Sequence, residues 1–130
     1  MSVEILRREA SSLMRMLRHL RGLHPGFTTT ELMTLLAVAE NEGVTVNGLG
    51  QLCGFTAATA SRTARGLAPA DMPGALTPYR GLLVLMRGPH ENRNRHLFLT
   101  SAGRALCEDM DRILAQGPGA AILLQADQAA

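Results

Sequence analysis

The sequence predicts a mainly α-helical chain that carries one small β-hairpin, and three observations predict it. Apolar residues recur at the helical period in the first 23 residues, after Thr28 and after Thr100. Two short helical patterns between Val46 and Leu67 meet across a glycine-containing turn at Gly54 and Phe55. Two apolar runs, Leu82 to Met86 and Leu97 to Leu99, flank a centre of Gly, Pro, His, Asn and Arg, as the two strands of a hairpin would.

With 130 residues, 46% of them apolar, the chain reads as one folded domain spanning residues 1–130. Its first helix covers "VEILRREASSLMRMLRHLRGL", residues 3–23. Leu6, Leu13, Leu17 and Leu20 form a stripe that Met16 and Leu23 widen, with the arginines mostly opposite. His24-Pro25-Gly26 ends it, because proline cannot continue the hydrogen-bond ladder. Thr28, followed three residues later by Glu31, reads as a capping box, and Leu32, Leu35, Leu36 and Ala39 line one face of the second helix, which Gly43 closes.

"VTVNGLGQLCGFTAATASRTARGL" then splits into a short helix at 46–53 and a further one at 57–67, capped by Thr56. Gly48 and Gly50 weaken the first by about 1 kcal/mol each relative to alanine, so it leans on tertiary contacts. Leu49, Leu52, Ala60, Ala64 and Leu67 are spaced to pack across the turn, which turns Ala57, Ala58, Ser61, Arg62 and Arg65 outward. "APADMPGALTPYR", residues 68–80, is a loop of prolines and glycine. The hairpin follows at 82–99. Thr100 caps a further helix whose face is Leu106, Met110, Ile113 and Leu114, and beyond "GPG" at 117–119 a last short helix is expected at 120–125.

A hairpin directly after a helix-turn-helix is a wing, and the charge pattern says what such a pair would face. All 13 basic residues are arginine. A GC-rich coding bias would produce that alone, yet it still supplies planar donor forks suited to phosphates and guanine edges. Net charge is only +2, but seven arginines lie between Arg62 and Arg104 against Asp71 and Glu91, whereas Glu31 to Glu42 holds three acids and no base. Such polarity fits an anionic partner on one face. A helix whose outward residues are small or arginine suits a major groove about 12 Å wide, which it enters to place a few donors on base edges. A wing tip with Arg93 and Arg95 reaches the adjacent minor groove, whose negative potential favours arginine. The expected DNA-binding set is Thr56, Ala57, Ala58, Ser61, Arg62, Arg65, Arg87, Arg93 and Arg95; Arg80, like Arg87 at the wing base, is a further candidate for phosphate contact.

Taken together these segments resemble the multiple antibiotic resistance regulator (MarR) family of winged-helix transcription factors. The likeness runs from about Thr28 to Leu114. It is strongest in "VTVNGLGQLCGFTAATASRTARGL", against a family pattern T-V-x-x-L-A-x-x-L-G-x-S-x-x-x-V-S-R-x-x-x-x-L, and in "ENRNRHLFLTSAGRAL", against D-R-R followed by L-T-x-x-G. Ser61 and Arg62 match the S-R of the recognition helix; Glu91, Asn92 and Arg93 stand at the positions of D-R-R, so Arg93 is the arginine that the family places in the minor groove. The resemblance implies a homodimer that binds a pseudo-palindromic operator, usually as a repressor. Its dimerisation helices would be residues 1–24 and 101–130, with Leu6, Leu13, Leu17, Leu20, Met110, Ile113 and Leu114 at the interface, around a DNA-binding core at 28–100. Small-molecule effectors are common in the family; the effector here is unknown, and Met14, Met16, His19 and Met33 are candidate wall residues. The chain departs from the family in the longer stretch between Leu67 and Gly81, in short C-terminal helices, and in Glu91 and Asn92, which alter the wing's ion pair.

Other functions find less support. No G-x-S-x-G or P-loop occurs, and no pair of acids stands beside a histidine at a telling spacing, so no catalytic residue and no enzyme activity are expected. His90 and His96 lack the further ligands of a zinc site, and no cofactor is expected. The four aromatic residues, Phe27, Phe55, Phe98 and Tyr79, are too few for a base-stacking platform. Cys53 and Cys107 have no CxxC spacing and read as buried thiols of a reduced cytosol. With no apolar run of about 18 residues and no signal-peptide core, neither a membrane span nor export is expected, which places the chain in the cytoplasm. The alternative that keeps the fold is a winged helix used for protein–protein contact, in which the arginines would be replaceable.

Overall fold

Four threonines set the starts of four helices. Thr28, Thr45, Thr56 and Thr100 each accept a hydrogen bond at the side-chain oxygen from the backbone amide three residues on, from Glu31 (3.0 Å), Gly48 (3.0 Å), Thr59 (3.1 Å) and Gly103 (3.0 Å). Each bond satisfies an amide that the helix itself leaves without a partner. Three of these caps are legible in the sequence; Thr45 is the one that was not expected. The computed structural model describes residues 3–88 and 95–117, with side chains from Ala10 onward. In it α1 (Val3–Leu23) is followed by α2 (Thr29–Glu40), α3 (Val46–Cys53), α4 (Ala57–Gly66), β1 (Leu83–Arg87), β2 (Arg95–Leu99) and α5 (Ser101–Gln116). The fold is mainly helical with one antiparallel hairpin, a winged helix-turn-helix. The short helix expected at 120–125 lies outside the described residues.

The described residues divide into two compact units, one within 27–107 and the other made of 3–26 with 108–117. The larger holds the helix-turn-helix. Leu35 and Val38 of α2, Leu49 of α3, Ala60 and Ala64 of α4, and Leu67, Leu82, Leu83 and Leu97 are all buried. Withdrawing each of the larger side chains from water contributes about 1.5 to 3 kcal/mol. Gly50 explains one of the glycines that weaken α3: a Cβ there would meet the carbonyl oxygen of Phe55 at 3.1 Å and Ala60 Cβ at 3.7 Å. The missing side chain brings α3 against the turn and α4. Leu52, expected in this packing, is 56% exposed, because α3 is only two turns long and Leu49 takes its inward position.

α2 is rotated from the face that its leucines suggest. Glu31, Thr34, Leu35 and Val38 point inward, while Leu36 is 42% exposed and Leu32 and Ala39 are half-buried. The cause is Glu31. Its carboxylate closes the capping box, accepting from the Thr28 amide at 2.9 Å, and also accepts from Arg80 Nε at 2.9 Å, with side-chain exposures of 11% and 10% for the pair. Arg80 lies over the Phe27 ring at 5.1 Å. A nearly enclosed ion pair pulls one edge of the helix inward, and the helical period carries Thr34, Leu35 and Val38 with it. Burial alone would raise the Glu31 carboxyl; the bonds from Arg80 and Thr28 and the charge of Arg80 outweigh it and hold the group below its ordinary 4.5.

The last helix enters against the strand. Thr100 donates its hydroxyl to Gly81 O at 2.7 Å and its amide to Leu82 O at 3.0 Å. A Cβ on Gly103 would stand 2.1 Å from Leu82 O, a distance at which backbone must move.

In the smaller unit α1 runs antiparallel to the C-terminal part of α5. Arg15 donates to Ile113 O at 3.2 Å and to Gly117 O, satisfying carbonyls at the helix end, and His19 Nε2 lies 3.3 Å from an Asp109 oxygen. The bond from Arg112, with that of His19, holds the Asp109 carboxyl below its ordinary 3.8. The α1 stripe divides into two faces. Ser12, Met16 and Leu20 are buried, one turn apart, while Leu13 and Leu17 are 47% and 39% exposed. Of the other residues expected at a dimer interface, Met110 is buried, Ile113 is half-buried and Leu114 is exposed; the side chain of Leu6 lies outside the described residues. Cys53 and Cys107, expected to be buried, are both half-buried and form no disulfide. Cys53 Sγ donates to Met33 O at 3.8 Å, and burial pushes its thiol above 9.0.

Two outcomes follow from these contacts. Glu31→Gln should cost roughly 2 to 4 kcal/mol at neutral pH, since it leaves Arg80 without its countercharge. Because the folded-state value of Glu31 is depressed, its contribution is full above about 4.5 and is lost as pH falls through the lowered value; urea unfolding of the variant should therefore depend less on acid pH than that of the parent. Gly103→Ala should lower stability by about 1 to 3 kcal/mol in the same assay, through displacement of α5 from Leu82.

Candidate nucleic-acid interface

β1 and β2 pair from Leu83 with Leu99 to Arg87 with Arg95, and β2 has a neighbour on its other edge as well. Leu97 donates its amide to Val44 O at 2.8 Å and accepts from the Gly43 amide at 2.8 Å, and Thr45 bridges to His96. The imidazole of His96 donates from Nδ1 to Gly43 O at 2.8 Å, since a carbonyl can only accept. The root of the wing is thus bonded on both sides, and Thr45 of this third edge is also the cap of α3. Sequence reasoning missed the residues 43–45 and His96 in this role. The available signal was Val44-Thr45-Val46, a β-branched run directly after a glycine.

This scaffold brings α4 and the wing side by side. Thr56, Ala57, Ala58 and Arg62 are exposed, as expected of an outward face. Ser61 and Arg65, expected to be equally outward, are half-buried and line a cleft of about 440 Å³ together with Asn47 of α3 and Arg95 of β2, over an apolar floor of Val46 and Leu85. The reason is the loop after α4. Leu76 N donates to Arg65 O at 2.9 Å and Arg80 N to Gly66 O at 3.1 Å, so residues 68–80 fold back over the exit of the helix, and Arg65 Nε donates to Gly74 O at 2.7 Å. Arg87 is exposed and stands opposite Arg95 in the ladder. Arg93, with Glu91, Asn92 and His90, lies outside the described residues.

The arginines divide by partner. Arg80 pairs with Glu31, Arg104 with Glu42 at 2.6 Å and Arg112 with Asp109 at 2.7 Å. Among the described residues no carboxylate pairs with Arg62, Arg65, Arg87 or Arg95. Arg80 therefore leaves the set of candidate phosphate contacts: its guanidinium is turned into the protein by Glu31 and Phe27. The other four surround α4 and the wing without a countercharge among the described residues, a field that attracts polyanions. Among the described residues no three metal-ligating side chains cluster, and no helix is long and apolar enough to cross a membrane.

No protein-family model matches the chain, and no curated protein matches it by sequence. Solved structures do match in fold. A probable transcriptional regulator from Pseudomonas aeruginosa is 26% identical, with 86% of this chain and 75% of that one covered and a TM-score of 0.57. MepR, a transcription regulator of the Staphylococcus aureus multidrug efflux pump MepA, is 19% identical over 89% of this chain and 78% of its own, with a TM-score of 0.61. A MarR transcriptional regulator from Methanosarcina mazei is 18% identical over 82% and 74%, with a TM-score of 0.57.

Removing the imidazole that ties the wing to residue 43 should loosen the wing alone. His96→Ala is expected to cost about 1 kcal/mol and to speed hydrogen exchange at the amides of Gly43 and Leu97, while the amide of Leu35 in α2 exchanges as in the parent.

Proposed function

We propose that this chain, which has the winged-helix fold of the MarR-type transcriptional regulators, is itself a sequence-specific regulator that binds double-stranded DNA as a homodimer in the cytoplasm. The observation that carries this reading is the set of four arginines without carboxylate partners among the described residues, gathered about a helix whose exposed face is otherwise small. α4 enters the major groove. There Arg62 offers its fork to the O6 and N7 of a guanine, Ala57 and Ala58 leave room for base edges and contact thymine methyl groups, and Thr56 and Ser61 supply hydroxyls. The wing lies along the adjacent minor groove, with Arg87 on a phosphate, Arg93 toward the groove and Arg95 beside it at the wing's flank. Leu13, Leu17 and Leu114, exposed on one chain, supply apolar surface to a second copy with the half-buried Ile113, while Leu20 and Met110 belong to the core of the single chain. Two α4 helices related by a twofold would read half-sites about one helical turn apart. The chemistry is binding, and no group in the interface needs a metal or cofactor to perform it.

The test is selection of bound fragments from genomic DNA, with the recovered duplexes re-measured by fluorescence anisotropy at several salt concentrations. A recovered pseudo-palindrome bound with a steep salt slope is expected. Arg62→Ala should weaken the selected duplex by about 1 to 3 kcal/mol and unrelated DNA much less. Arg87→Ala should weaken both alike and reduce the salt slope by about 1. Parental affinity and selectivity in the Arg62→Ala, Arg93→Ala double variant would defeat the site assignment.

A further inference from the structure

Arg65 belongs to the helix and Arg95 to the wing, but the loop between them brings their guanidinium groups to the same glycine. A Cβ at Gly74 would meet Arg95 Nη1 at 3.6 Å and Arg65 Nε at 3.7 Å. The Gly74 carbonyl accepts from Arg65 Nε at 2.7 Å, and the amide of Leu76 returns a bond to the carbonyl of Arg65 at 2.9 Å. With Nε engaged, the planar group is oriented and its terminal nitrogens remain as donors. Ser61 and Asn47, on the walls of the same cleft, add a hydroxyl and an amide, both able to donate to an oxyanion. Two cations held against one residue repel each other, and an anion between them converts that repulsion into attraction.

Resting on the DNA-binding reading above, we infer that Arg65 and Arg95 clamp one and the same backbone phosphate of the duplex. The position of the cleft selects that anion. If α4 lies in the major groove and the wing in the adjacent minor groove, what passes between them is the sugar-phosphate strand, and the cleft is where helix, wing and loop meet. Neither arginine then reads a base; both hold the register in which Arg62 does. Because Arg65 is held by the loop of residues 68–80, that stretch takes part in DNA binding through the orientation it gives this side chain.

The experiment uses the full chain and a duplex that the parent protein recovers from genomic fragments. Single phosphates are replaced by neutral methylphosphonates along the site, and binding is measured for the parent, Arg65→Gln, Arg95→Gln and the double variant. One position in each half-site should cost the parent roughly tenfold or more, yet cost either single variant little, and the double variant should bind no worse than the weaker single. Sensitivity lost at two different phosphates, or losses that multiply in the double variant, would mean separate contacts and overturn the clamp while leaving the DNA-binding reading intact. If the double variant does not fold, the parent and single-variant scans decide alone. Failure of the parent to bind any duplex removes the DNA-binding reading and the clamp with it. In a separate arm, inorganic phosphate is added without DNA at constant ionic strength. The parent should melt unchanged; stabilisation that Arg65→Gln abolishes, with no methylphosphonate effect, would mark a free-anion site and overturn the clamp.

Discussion

The wing is held in place by the backbone of Leu97. β2 has one neighbour in β1 and another in residues 43–45, and Leu97 uses both its amide and its carbonyl on the second of these while its side chain is fully buried. An isolated two-stranded hairpin is marginal in water. Pairing the second edge with the residues that lead into α3 makes the wing part of the helix-turn-helix. Without that bond pair the position of Arg95 beside α4 would be undefined, and so would the cleft. The same residues 43–45 carry the Thr45 cap, so one short segment both starts α3 and fixes the wing.

Charge is distributed on the same plan. Three arginines outside α4 and the wing face an acid: Arg80 faces Glu31, Arg104 faces Glu42 and Arg112 faces Asp109. The arginines around α4 and the wing have none among the described residues. Surface ion pairs contribute little to stability, but their absence here matters for another reason. Guanidinium groups without a carboxylate among the described residues keep donors for an external partner, and a polyanion that releases counterions on contact gains most from such a surface. The Glu31–Arg80 pair is the exception in strength. It is nearly enclosed, it rotates α2, and it draws in the end of the 68–80 loop that holds Arg65.

That loop sets this chain apart from the pattern it resembles. Its backbone bonds lie on the last turn of α4, where a helix would otherwise expose carbonyls to water. α4 is therefore buttressed at its exit as well as capped at its entry by Thr56. A helix of only ten residues gains orientation from both ends.

The local sequence determined what is local. The threonine caps at 28, 56 and 100, the glycine turn at 54, the two apolar runs of the hairpin and the cluster of arginines after residue 61 are read within a few residues of chain, and they were enough to order the elements as a winged helix. Tertiary structure decided the rest, for one reason: each of these features depends on a partner far along the chain. α2 is apolar on most of its circumference, so its inward face was chosen by Arg80, 49 residues beyond Glu31. Arg80 looked like a surface cation until Glu31 was placed beside it. Leu52 and Leu36 had the right spacing for a core but found no second layer, and the leucines of α1 split into a covered and an open face because only one side meets α5. Ser61 and Arg65 share the outward phase of Arg62, yet a loop whose path no periodicity encodes folded over them and made a cleft out of a surface.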